Sequence, residues 1–174
     1  MKHIVLTGFM GVGKTTLGKQ LAAHYNRPFY DIDDEICLGE HQTIHELITD
    51  SQAYFRALEC EYVQAAIKQE IPSIISLGGG AYCHPKTYNI IKDAQVVSLY
   101  LSMSDDTCLQ QLEHIKKSRP LLNAMGGDQW KNQALELYQK RRPLYERADI
   151  QIAREGLTLK GCIQRIEEYY GKIY

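Results

Sequence analysis

The sequence predicts an α/β fold in which a parallel β-sheet carries helices on both faces. Three observations predict it. Short β-branched or aromatic runs alternate with longer helical patterns along the whole chain, the order of a strand–helix–strand architecture. Most of the runs are apolar throughout, as strands buried on both faces are. A glycine-rich stretch follows the first run directly and opens the first helical pattern, which is where such folds hold phosphate.

The first strand is expected over His3–Thr7, and Gly8-Phe9-Met10-Gly11-Val12-Gly13-Lys14-Thr15 then fits G-x-x-x-x-G-K-[ST]. Its glycines let the backbone turn tightly, so that successive N–H groups point inward at phosphate oxygens. The next helix adds its positive end, Lys14 reaches the terminal phosphates and the Thr15 hydroxyl can bind Mg²⁺. Gly11, Val12, Gly13, Lys14, Thr15 and Thr16 are therefore the candidate residues for binding a nucleoside triphosphate. A glycine-rich turn with an incidental Lys-Thr is the bland alternative, and it leaves the strand before and the helix over Lys14–Tyr25 unexplained.

The second strand, Phe29–Asp31, runs into Asp31-Ile32-Asp33-Asp34. Two apart at the carboxyl end of a strand, Asp31 and Asp33 point to the same side. One would hold Mg²⁺ through water while the other accepts a hydrogen bond from a substrate hydroxyl. Equally, the stretch is a polar turn in which Asp33 or Asp34 caps the next helix. A helix over Gln52–Gln69 follows, with Phe55, Leu58, Tyr62, Ala65 and Ala66 as its core stripe. Arg56 and Glu59 share one of its faces, either as a solvated ion pair or as part of a site.

The third strand, Ser73–Leu77, ends in Gly78-Gly79-Gly80. Ligands bind at such strand ends in open α/β sheets, and consecutive glycines there suit close backbone approach or a flexible turn. The fourth strand is expected over Val96–Leu101. From Lys116 to Trp130 the chain reads KKSRPLLNAMGGDQW, long for a connection in a compact domain, and a lid or an ordinary surface loop are its two readings. A strand over Asp149–Ala153 and a helix over Thr158–Tyr170 complete the pattern.

Composition narrows the function. The 174 residues suit one domain, and 44% hydrophobic with 24% charged residues exclude a disordered or collagen-like chain. Twenty basic against 21 acidic residues leave no general excess for nucleic acid or an anionic membrane. No run approaches the length of a membrane span. Five scattered cysteines without a Cys-x-x-Cys pair give neither a disulfide framework nor a zinc site, so they read as packed thiols of a cytoplasmic protein. His41 and His45 are four apart with no third ligand, and the Tyr169-Tyr170 and Tyr174 cluster is a candidate contact surface. The phosphate loop names a nucleoside triphosphate but no reaction. An Asn-Lys-x-Asp base-reading motif is missing, and the Ile74–Leu77 strand ends in glycines rather than an acid.

Arg119-Pro120-Leu121-Leu122, inside the long connection, and Arg141-Arg142-Pro143-Leu144-Tyr145 after it are the remaining motifs. Taken in order, GFMGVGKTT, DID, FRxxE, SLGGG, RPLL and RRPLYERAD make the sequence resemble the shikimate kinases over nearly its whole length. The resemblance implies a three-layer αβα P-loop kinase fold, akin to the nucleoside monophosphate kinases. Its five-stranded parallel sheet has order 2-3-1-4-5, and one domain over 1–174 carries a mobile lid at about 116–130. It also implies transfer of the γ-phosphoryl group of ATP to the 3-hydroxyl of shikimate, with one Mg²⁺.

Carried over by position, Lys14 and Thr15 serve the phosphates and the metal, which Asp31 reaches through water. Asp33 holds substrate hydroxyls and assists deprotonation of the attacking one. Arg56 and Arg141 clamp the shikimate carboxylate, Glu59 orients Arg56, and the Gly78–Gly80 backbone lies along the substrate. Arg119 swings in over the transferring phosphoryl. The chain departs from the family pattern at Ser51-Gln52, where Gly-Glu is usual, and near His114, the nearest substitute for an arginine that stacks on adenine. The segment between Arg119 and Arg141 is also somewhat long.

The expected partners are ATP and shikimate, with no nucleic acid or membrane, and the expected state is a cytoplasmic monomer. Two alternatives are a gluconate-type kinase on the same scaffold and a nucleotide-binding regulatory module without turnover. The second predicts loss of Lys14, Asp31, Asp33 or Arg119, and all four are present.

Overall fold

In the computed structural model, residues 2–115, 122 and 129–173 are described. Five strands, β1 (Ile4–Thr7), β2 (Phe29–Asp31), β3 (Ile74–Ser76), β4 (Val97–Ser102) and β5 (Ile150–Ala153), pair in parallel in the order 2-3-1-4-5. This is the order that the resemblance implies. Register aligns Ile4 with Ile74 on one side and with Val97 on the other. The apolar runs of β1 and β3 are buried throughout, as is β4 up to its last residue. The edge strands β2 and β5 are only partly covered.

Between the strands lie α1 (Lys14–Tyr25), α2 (Ile32–Glu40), α3 (Ile44–Asp50), α4 (Gln52–Ile67), a 3-10 turn (Ala81–Cys83), α5 (Pro85–Asp93), α6 (Asp105–Ile115) and α7 (Trp130–Tyr145). The last helix, α8, spans Leu159–Ile173. The connection from β1 to β2 runs one way along the sheet and all later ones run the other way. Right-handed crossovers therefore place α1 on one face and α2 to α7 on the opposite face. The final helix returns to the side of α1 and touches it. The chain thus leaves the neighbouring strands β1 and β3 toward opposite faces, which opens a crevice at their carboxyl ends.

Local sequence explains where the helices around this crevice begin. Thr43 and Glu46 form a reciprocal capping box on α3, and the Ser51 hydroxyl accepts the Tyr54 amide at 3.2 Å to start α4. Ser51 thus does the capping where the family usually has Gly-Glu.

Several expectations change in detail. β1, β3 and β5 each start one residue later than expected, and β4 is shifted by one. His3 and Ser73, which precede β1 and β3, are tied by side-chain hydrogen bonds of 2.8 and 3.1 Å. β2 stops at Asp31, which becomes the N-cap of α2, so strand alternation does not relate Asp31 to Asp33. Neither Asp33 nor Asp34 is the cap. Both sit in the first turn of α2, where the positive helix end favours them.

The buried stripe of α4 is Phe55, Leu58, Glu59, Cys60, Val63 and Ala66, while Ala65 is exposed. His41 closes α2 and His45 belongs to α3, so they do not share a helix. Of the tyrosine cluster, Tyr170 is buried with its hydroxyl donating to the Lys2 carbonyl, Tyr169 is half-buried, and Tyr174 lies outside the described residues. Of the segment expected as a lid, Gln129 and Trp130 belong to the start of α7, Leu122 is buried, and 116–121 and 123–128 lie outside the described residues. Cys60, Cys108 and Cys162 are buried and all five thiols are free. Among the described residues, no helix is long and apolar enough to cross a membrane.

Candidate active site

Two clefts meet at the carboxyl ends of β1 and β3. The first belongs to the phosphate loop. Gly8 has φ +141, and a Cβ on it would lie 2.6 Å from the Leu101 carbonyl oxygen, so no other residue fits as β1 turns into the loop. Lys14 is buried, and its Nζ donates to the carbonyl oxygens of Gly8 at 2.8 Å and Phe9 at 3.1 Å. The ammonium therefore lies against the loop's own backbone. Beside it the Thr15 hydroxyl donates to Asp31 Oδ2 at 2.6 Å. Lys14, Thr15, Asp31, Asp33, Ser76 and Gly79 line this cleft of about 480 Å³.

Its donor set suits Mg²⁺. Among the described residues no group of three or more His, Cys, Asp or Glu is placed to hold a metal by itself. A hydroxyl and one carboxylate beside a phosphate cradle are what a largely hydrated magnesium ion takes.

The second cleft, of about 580 Å³, is lined by Asp33, Arg56, Glu59, Gly78, Gly79, Gly80 and Arg141, with Met10, Ile44, Ile48 and Phe55 as apolar walls. Arg56 comes from α4 and Arg141 from α7, and both guanidinium groups converge on Gly80. A Cβ there would lie 2.8 and 3.1 Å from the two terminal nitrogens of Arg56 and 3.2 Å from Arg141 Nη2. Two cations brought to one point repel each other until an anion shares them, and the planar forks match a carboxylate.

Glu59 holds Arg56 in an ion pair and is itself 1% exposed, so the pair is no solvated surface bridge. Burial pushes the Glu59 carboxyl up to about 7, against the pull of Arg56 and Arg141 and with Asp33 adding to the rise. Asp33 Oδ1 would lie 2.5 Å from a Cβ on Gly78, with Glu59 Oε1 at 3.1 Å. The carboxylates thus crowd into the space that this glycine leaves.

The clefts share Met10, Asp33 and Gly79. The structure thus brings together Lys14, Thr15, Asp31, Asp33, Arg56, Gly78, Gly79, Gly80 and Arg141. Arg119 lies outside the described residues. Arg142 turns the other way, pairing with Asp105 of α6 and lying 4.6 Å over the Tyr138 ring. His114 sits near the end of α6, whose Glu113 pairs with Lys131 of α7.

Sequence reasoning missed two contacts and one wall. Arg154 Nη1 donates to the Gly11 carbonyl at 3.0 Å. With Val12, Gly13, Thr16, Leu17, Gln20, Leu157 and Leu159 it lines a third cleft beside the phosphate loop. Its position directly after the last strand was the available signal. The Tyr145 hydroxyl donates to the Gly79 carbonyl, and no local pattern points to it. The Ile44 and Ile48 wall follows from the Thr43-x-x-Glu46 capping signature, which marks α3.

A family model described as shikimate kinase matches residues 10–170. A shikimate kinase of Flavobacterium johnsoniae is 32% identical over 169 residues, covering 95% of this chain and 97% of that one. The 1.7 Å crystal structure of shikimate kinase from Bacteroides thetaiotaomicron superposes with a TM-score of 0.85 at 31% identity, covering 98% of each chain. Shikimate kinase from Acinetobacter baumannii in complex with shikimate gives 0.83 at 26% identity, covering 97% of this chain and 94% of that one.

Proposed function

The chain belongs to the shikimate kinase family, and on that premise we propose how its clefts share the transfer of the γ-phosphoryl group of ATP to the 3-hydroxyl of shikimate. The protein is an ATP-dependent phosphotransferase of aromatic amino acid biosynthesis. One observation carries the assignment of sites: two arginines converge on Gly80 beside Asp33, which also lines the phosphate-loop cleft.

The carboxylate of shikimate lies between Arg56 and Arg141, with its ring against Ile44, Ile48 and Phe55. Its hydroxyls then face Asp33 and the Gly78–Gly80 backbone. Asp33 accepts the proton of the 3-hydroxyl as that oxygen bonds to the γ-phosphorus and the bond to the β-phosphate oxygen breaks. The products are shikimate 3-phosphate, ADP and a proton. Lys14 leaves the loop carbonyls for the β- and γ-phosphates, where its charge counts in the transition state. Thr15, and Asp31 through water, would hold Mg²⁺. When bound, that ion neutralises charge on the phosphate oxygens.

The cleft of Val12, Gly13, Thr16, Arg154 and Leu157 takes the nucleoside end of ATP, and His114 is the candidate adenine neighbour on the α6 side. Arg119 covers the transferring group from a lid within about 116–128, which keeps water from competing with the hydroxyl. We place this single domain in the cytoplasm as a monomer, a state that gel filtration with light scattering checks directly.

A coupled ADP-release assay with Mg-ATP tests the function against shikimate, gluconate and nucleoside monophosphates. Stimulation by shikimate alone is expected. Stimulation by gluconate instead redirects the arginine cleft to another acid, and ATP binding without any turnover supports the regulatory module.

A further inference from the structure

The Gly79 carbonyl accepts two hydrogen bonds from one face of α7, from Arg141 Nη1 at 3.3 Å and from the Tyr145 hydroxyl. Four residues apart in a helix, these side chains lie one above the other. Tyr145 is fully buried, and its ring stacks on Tyr100 of β4 with centroids 5.3 Å apart and planes at 26°. Burial pushes its phenol well above the usual tyrosine range, so the group stays a neutral donor. On the other side of Gly79, a Cβ would meet the Met10 amide nitrogen at 3.3 Å. Gly79 thus lies against the phosphate loop and is held by α7 through its carbonyl, and it lines both clefts.

We infer that Tyr145 is a positioning residue for phosphoryl transfer: its hydroxyl holds the Gly79 carbonyl and so leaves the Arg141 fork aimed at the substrate carboxylate. The inference rests on the reading of Arg141 as a carboxylate holder. A backbone carbonyl in this setting keeps a donor. Without the phenol, Arg141 has to supply that donor in full, and its guanidinium is drawn from the substrate toward the glycine strap.

Tyr145→Phe tests this, because it keeps the ring and its stacking on Tyr100 and removes one hydroxyl. The shikimate KM is expected to rise about three- to tenfold, the effect of losing one such hydrogen bond, while the KM for ATP and the melting temperature hold. In an Arg141→Ala background the same substitution is expected to leave the shikimate KM where Arg141→Ala alone puts it. An unchanged shikimate KM in the single variant overturns the inference, as does an equal effect in both backgrounds. A collapsed melting temperature with both KM values shifted assigns Tyr145 to the core alone and overturns it too. Wild-type protein that turns over no shikimate overturns the parent reading. Wild-type turnover with an indifferent Tyr145→Phe overturns only this inference.

Discussion

Replacing Gly80 by alanine adds one methyl group where the two arginine forks meet. The backbone there has φ −113 and ψ −13, which alanine adopts freely, so the backbone effect is no more than about 1 kcal/mol and acts through the unfolded chain. The methyl carbon would lie 2.8 and 3.1 Å from Arg56 nitrogens and 3.2 Å from Arg141 Nη2. Nonbonded carbon contacts settle at roughly 3.5 Å, so both guanidinium groups must retreat by several tenths of an ångström. They stand on different helices, so no single shift relieves both. Loss of one charge-assisted hydrogen bond to the carboxylate costs about 1.5–3 kcal/mol, which is about ten- to 150-fold in kcat/KM for shikimate. A shikimate titration at saturating Mg-ATP, with a melting curve beside it, reads both effects. A kcat/KM within twofold of the parent and an unchanged melting temperature would refute the convergence of Arg56 and Arg141 on the substrate.

Neighbouring arginines separate function from stability. Arg141→Ala is expected to lower kcat/KM for shikimate by about 100-fold, corresponding to roughly one ionic hydrogen-bond pair, with little change in melting. Arg142→Ala should leave the shikimate KM alone. It loses the partly exposed Asp105 pair and the Tyr138 contact, together about 1 kcal/mol of stability. The reverse pattern in steady-state and thermal measurements would exchange their roles.

The Glu59 carboxyl rises from an ordinary 4.5 to about 7 in the folded protein. The protonated form is thus the one that folding favours: its contribution is complete below about 4.5 and is lost as pH rises through about 7. Denaturant melts from pH 4.5 to 8 are expected to show the parent losing stability relative to Glu59→Gln over that range. A flat difference would remove burial as the dominant influence on this group.

Much of the site is legible because its chemistry is local. The phosphate loop is one contiguous pattern, and Arg56 and Glu59 share a helix face by spacing alone. Strand–helix alternation gives the class of fold but no strand order, which came from the ordered motifs. Burial was less accessible. Periodicity marked Ala65 as core, whereas the stripe runs through Glu59, Cys60 and Val63. A buried acid there makes sense only once Arg56 is seen to turn inward. The contact between Tyr145 and Gly79 spans 66 residues, and nothing in either neighbourhood announces the other. Asp31 misled because one residue ends a strand and caps a helix at once, a junction at which two periodicities overlap.

One of the three residues that both clefts share is a bare peptide unit, and this bears on how the enzyme can change over generations. Gly79 offers no side chain to enlarge or trim, and its nearest neighbour in the phosphate loop is the Met10 amide nitrogen. At this position mutation therefore has little purchase on how the two clefts adjoin. The outer wall of Ile44, Ile48 and Phe55 consists of ordinary replaceable side chains on α3 and α4. Drift toward other hydroxy acids, or deliberate redesign for them, has room to act on that wall while the Gly79 strap stays as it is.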